Sequence, residues 1–336
     1  MQLGTTISLL GLSWDIQWHV EVGPDTFFTL SHLALYSGSA VAGIASLVMV
    51  LLSTAAQRAG RPFGREVGGP PVRVFGGLFT APLGYLVSGV GAASFLIYGL
   101  LDLWWHSIYG FDAVLDTPSH VALFLAILIT MIGVVVTFTA GGGQTWARAG
   151  LTFALPVVIT FGPVPFNALS DLPVPLDPVL LGSILCTPTL LIVAGMVLGR
   201  WGALRVAVTL TALQAFLWWF SPWAAETYAA ATGLPLRDNL RVSAPELPGL
   251  IPMCAIVVAL VIEGFLRSRL RRRTLLLGVT TGLLVAVSLP IQLALTDVTS
   301  NISVVDLVFV AVLGIVLGVP AGYLGTRFGV LLAAAR

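Results

Sequence analysis

Residues 119–140, SHVALFLAILITMIGVVVTFTA, decide the fold. A membrane-crossing helix needs about 20 mainly apolar residues, and this run supplies them with no Asp, Glu or Arg. Its apolar residues are continuous instead of alternating with polar ones, so it reads as a spanning helix and not as a strand of a membrane barrel. Working outward, comparable runs recur at about 31–53, 76–101, 148–164, 178–198, 203–221, 248–266, 274–294 and 303–324. The expected fold class is therefore all-α: a polytopic membrane helix bundle of about nine transmembrane helices. Composition agrees. Hydrophobic residues make up 57% of the 336, charged residues 9%, and mean hydropathy is +0.99. Soluble domains carry roughly a quarter charged residues, and disordered chains need low hydrophobicity, so both classes are excluded. A net charge of +1 gives no basis for a nucleic-acid partner. Cys186 and Cys254 stand far apart in apolar runs and read as small core residues. Residues 1–13 lack a basic n-region, so no cleaved signal peptide is expected there.

Orientation follows from the arginines, because positive charge stays on the cytoplasmic side. All sixteen basic residues are Arg, which with the Ala, Val, Gly and Leu richness suggests a high-GC bacterial gene. Arg58, Arg61, Arg65 and Arg73 separate the first two spans. Arg148, Arg200, Arg205, the run Arg267, Arg269, Arg271, Arg272 and Arg273, and finally Arg327 and Arg336 follow. With nine spans and the N-terminus outside, these fourteen share one side and only Arg237 and Arg241 lie opposite. The expectation is N-out/C-in in a bacterial cytoplasmic membrane. Glu263, near the cytoplasmic end of its span, is expected to pair with Arg267 at i+4. Residues 163–178 and 222–247 are read as outside loops.

The chemistry lies in the four histidines, His19, His32, His106 and His120. They occur in a repeated pattern: WDIQWHVEVGPDTFFTLSH at 14–32 and LDLWWHSIYGFDAVLDTPSH at 101–120. Asp15 and Asp102 each precede a histidine by four positions, Asp25 and Asp112 follow it by six, and each copy closes on Ser-His. Asp and His at i and i+4 project from one face of a helix. A glycine-containing loop then reverses the chain, and the closing His opens the next span. Each copy can thus gather one carboxylate and two imidazoles: Asp15, His19 and His32, and Asp102, His106 and His120. Two His plus one carboxylate suits copper, zinc or non-haem iron. Ionisable residues near membrane depth are expensive and tend to be functional. Bis-His haem ligation is a lesser alternative.

The first copy resembles the WHxxxxxDTxFTPSH stretch found in the C-type membrane subunit of the copper membrane monooxygenases, the particulate methane and ammonia monooxygenases. Asp15, His19, Asp25, Thr26, Phe28, Thr29, Ser31 and His32 match it, and Leu30 replaces its Pro. In the second copy, Asp102, His106 and His120 match the spacing of a further Asn-His-His site of that family, with Asp102 in place of Asn. The resemblance covers about residues 12–125. It implies copper as cofactor, partner membrane subunits in a monooxygenase complex, and oxidation of a small uncharged substrate by O2. In that reading Asp102, His106 and His120 are catalytic, all six residues are metal ligands, and Asp25 and Asp112 orient ligands or handle protons, near the outer face of the membrane. Residues 1–140 would then form the duplicated metal-site region and 141–336 an additional bundle. A different class stays open: a protein that acquires, senses or transports copper or zinc without oxygen chemistry.

Overall fold

A computed structural model describes residues 1–110, 115–170, 177–237, 247, 254–268, 272–296 and 303–334. Among the described residues there are ten α-helices: α1 (Gln2–Glu21), α2 (Leu30–Arg58), α3 (Leu83–Tyr109), α4 (Pro118–Ala140), α5 (Thr145–Phe161), α6 (Pro178–Leu198), α7 (Gly202–Thr232), α8 (Cys254–Arg267), α9 (Arg273–Thr296) and α10 (Val304–Ala334). Among the described residues, eight helical segments are long and apolar enough to cross a membrane: α2 to α7, α9 and α10. Of the span expected at 248–266, residues 248–253 lie outside the described residues, and α8 carries the rest as 14 helical residues.

Two departures from the expected boundaries have physical causes. Residues 76–82, expected inside the second span, instead belong to a two-stranded antiparallel hairpin, β1 (Pro71–Val74) and β2 (Phe79–Pro82). Pro71 and Pro82 bracket it, and the turn uses Gly76 and Gly77 at φ 66° and 96°, a conformation glycine adopts without steric cost. Residues 222–232, expected in a loop, continue α7 past Pro222. Their Ala-rich sequence, AAETYAAAT, favours helix, and the helix ends only at left-handed Gly233.

The chain forms two compact units. The first comprises Met1–Gly11, Thr26–Phe161 and Leu331–Arg336. Its central seam joins α3 to α4 through small residues. A Cβ added to Gly84, Gly91 or Gly133 would meet backbone nitrogen of Thr137, Thr130 or Ser88 at 2.8, 2.5 and 2.3 Å. Small residues let helix backbones approach closely inside membranes. Because the helices run antiparallel in this register, the last turns of α3 fall beside the first turn of α4.

The second unit comprises Leu12–Asp25 and Gly162–Val330. Here α9 and α10 touch through Gly278, Gly282, Gly314, Gly318 and Gly322, and a Cβ on Gly278 would sit 2.2 Å from the Gly318 carbonyl oxygen. Trp18 of α1 and Val22 just after it pack on Ala225 and Ala229 of α7. Glu263 does pair with Arg267, at 2.7 Å. It also accepts from the backbone N–H groups of Trp201 and Ala203, both at 3.0 Å. A buried carboxylate thus satisfies the otherwise unpaired donors at the start of α7.

Candidate metal centre

The second copy of the motif is gathered inside the first unit. Asp102 and His106 lie one turn apart near the end of α3, and Gly110 stops the helix at φ 85°. Pro118 opens α4, Thr117 caps it by accepting from the His120 N–H, and His120 is its third residue. The α3–α4 seam then brings His120 to Asp102. Asp102 Oδ1 lies 3.5 Å from His106 Nε2 and 3.4 Å from His120 Nε2, with the two imidazole centroids 5.4 Å apart. Asp102 and His106 are buried, and His120 is the more open of the three, with 16% of its side chain exposed. Phe124 stacks on His120 and meets Phe161 edge to face, so one wall of the site is aromatic.

Proton positions follow from the partners. His106 Nδ1 lies 2.9 Å from the Gly110 carbonyl oxygen. A carbonyl only accepts, so Nδ1 carries a proton, and Nε2 faces Asp102. Asp102 Oδ1 is itself buried without a hydrogen-bond partner among the described residues. A carboxylate oxygen and imidazole nitrogens held this close, away from water, repel one another unless a proton or a metal ion lies between them. One candidate atom from each of the three residues lies within 4.8 Å of the others. Two ligands on a four-coordinate ion stand about 3.3 Å apart, given metal–nitrogen and metal–oxygen bonds of about 2.0–2.2 Å. The 3.4 and 3.5 Å separations from Asp102 Oδ1 are close to that edge, and the donor set is compatible with a metal ion.

The first copy divides between the units. Asp15, His19 and Asp25 belong to the second unit and His32 to the first. His19 Nδ1 lies 2.9 Å from the Asp15 main-chain carbonyl and donates to it, which leaves Nε2 to meet a carboxylate. Asp25, and not Asp15, faces that nitrogen, at 3.2 Å against 3.9 Å for Asp15 to Nδ1. Asp25 returns to His19 through a turn at Gly23 (φ 101°), held by Trp18 Nε1 donating to the Pro24 carbonyl at 2.8 Å. Burial pulls the His19 pKa down, but the Asp25 hydrogen bond and the Asp15 charge outweigh it and hold it above the usual histidine value. His32 is the third residue of α2, as His120 is of α4. Its Nδ1 lies 3.0 Å from the Thr26 carbonyl, and its ring stacks on Tyr36. Asp112 lies outside the described residues.

Spacing alone indicated neither the Gly110, Asp15 and Thr26 carbonyls behind three of the imidazoles nor the approach of Asp25 to His19. The i+4 relation was visible in sequence, whereas the carbonyl contacts depend on how the chain turns after each helix. The chain matches no known protein family, no curated protein and no solved structure.

Proposed function

We propose that this chain is a copper-binding integral membrane protein similar to the C-type membrane subunit of the particulate methane and ammonia monooxygenases. In this reading it works with partner membrane subunits, and its substrate is a small uncharged molecule oxidised with O2. The observation that carries the reading is the Asp102, His106 and His120 cluster, in which a buried carboxylate oxygen, without a hydrogen bond among the described residues, faces two imidazole Nε2 atoms at 3.4 and 3.5 Å. In sequence the same pattern recurs at Asp15, His19 and His32, which this reading takes as a further set of metal ligands. Copper bound there would supply the capacity to activate dioxygen.

The residues divide the work. His106 and His120 offer Nε2 lone pairs, and the Gly110 carbonyl fixes the His106 ring in the tautomer that ligation requires. Asp102 supplies negative charge that offsets the charge of the ion. Phe124 and Phe161 keep water from one side. The reading includes nine spans with N-out/C-in orientation in a bacterial membrane and places the sites near the outer face.

The test is metal analysis of protein purified from native membranes, joined to copper EPR. About one or two coppers per chain are expected, with nitrogen hyperfine splitting that changes in His106→Ala or His120→Ala, and loss of substrate oxidation in both variants. Full oxidation activity in either variant would overturn the catalytic assignment. Zinc in place of copper, with no oxidation by the complete complex, would favour the metal-handling class.

A further inference from the structure

The β1–β2 hairpin is the feature that neither the span pattern nor the proposed metal chemistry uses. It is docked rigidly on α2. Ser53 and Thr54 hydroxyls donate to the Thr80 carbonyl at 2.8 and 3.1 Å, and the Thr80 N–H donates back to Thr54 at 3.0 Å. Nearer the helix end, the Arg58 guanidinium donates to the Leu78 carbonyl at 2.8 Å. From Ser53 to Arg58 the helix rises about 7 Å. The hairpin is therefore clamped along the last turn and a half of a membrane-length helix, level with its arginine-bearing end.

The turn presents apolar side chains where a water-facing turn would carry polar ones. Phe75 is 83% exposed and Leu78 55%. Phe75 also holds φ 51°, a left-handed conformation that disfavours side chains larger than hydrogen. Phe63, on the neighbouring loop, is exposed as well. Around these residues stand Arg58, Arg61, Arg65 and Arg73, all exposed, with Glu66 as the single acidic residue between Arg58 and Pro82. Exposed apolar side chains on a stretch that also carries four exposed arginines, level with the end of a spanning helix, match the layering of a membrane interface.

We propose that this hairpin is a lipid-binding wedge, with Phe75 and Leu78 inserted at the acyl boundary and Arg58, Arg61, Arg65 and Arg73 binding the phosphates of anionic lipid headgroups. The occupant is the adjoining leaflet, selected by charge complementarity: four guanidinium groups against one carboxylate recruit anionic over zwitterionic headgroups. The wedge does not depend on metal binding elsewhere in the chain.

The test uses the full chain in nanodiscs of phosphatidylcholine alone or mixed with phosphatidylglycerol. In a Cys186→Ala/Cys254→Ala background, a nitroxide attached at Phe75→Cys is compared with one at Glu66→Cys. Both positions are exposed, so neither label disturbs the core. The label at 75 is expected to collide with oxygen in preference to an aqueous nickel complex, and the label at 66 to do the reverse. Aqueous behaviour at both positions overturns the wedge. Each Arg→Gln substitution among the four is expected to lower the preference for phosphatidylglycerol about fivefold. An unchanged lipid preference in the fourfold variant overturns headgroup binding.

Discussion

Replacing Asp102 by Asn tests the metal centre most directly, because the side chain keeps its shape and loses its charge. Asp102 Oδ1 stands 3.4–3.5 Å from both Nε2 atoms, close to the roughly 3.3 Å edge of a four-coordinate ion. In the proposed site it would take a ligand position and would not stand behind one of the imidazoles. Groups that merely orient a ligand from behind are worth about 10–100-fold in metal affinity. A direct anionic ligand sets the expected loss at about 100-fold or more, which is about 2.7 kcal/mol. Without metal the sign changes. An Asn amide can donate to a Nε2 lone pair, so the metal-free variant is expected to unfold at the same temperature as the parent or higher. The assay is competition against a chelator of known affinity for Cu(II) and for Zn(II), run beside thermal unfolding of the metal-free proteins. Affinity within threefold of the parent would refute the reasoning, because the carboxylate would then not be a ligand. So would marked destabilisation of the metal-free variant, because the cluster would then be an ion pair serving the fold.

The remaining predictions concern separate parts of the molecule. In metal-free protein, His19 is expected to titrate above the ordinary histidine value near 6.5, and NMR of the imidazole would follow it. The stabilisation linked to this shift is fully present below that ordinary value and is lost as pH rises through the raised folded pKa; Asp25→Asn should bring the pKa down. Glu263→Ala removes the acceptor for the Trp201 and Ala203 N–H groups and for Arg267. A loss of about 2–4 kcal/mol is expected for these charge-assisted bonds, read from thermal unfolding, with a smaller loss for Glu263→Gln, whose amide oxygen still accepts. Gly318→Ala drives a methyl to 2.4 Å from the Gly278 carbonyl. About 1–3 kcal/mol of overpacking is expected, whereas the same change at Gly99, which has open space around it, should be neutral within about 0.5 kcal/mol.

Much of this was legible in the chain and some was not, for physical reasons. Hydropathy over about 20 residues locates helices such as α4 because the bilayer requires that length. The same averaging concealed the hairpin. After Arg73, VFGGLFTAP runs without a charged residue into LGYLVSGV, so only the proline and the Gly-Gly pair signalled a turn. Pro222 misled in the opposite direction, since a proline inside a long helix can be tolerated when neighbouring residues favour the helix strongly. In the candidate site, Asp102, His106 and His120 were legible from spacing, because i+4 and the first turn of the next helix are local rules. The Glu263 cap on α7 was not, because its two backbone partners lie about 60 residues away and their N–H groups leave no mark in residue identity.

The carbonyl anchors of the imidazoles have a consequence for any attempt to map these sites genetically. His19, His32 and His106 are each oriented by a peptide oxygen that every amino acid carries. Alanine scanning, however complete, leaves those oxygens in place and would score Asp15 by its carboxylate alone. Moving the carbonyl itself, by changing the number of residues between each histidine and its anchor, would disturb the contact while every imidazole stayed intact. Imidazole aim in this protein is thus a property of chain path, which point substitution largely leaves untouched.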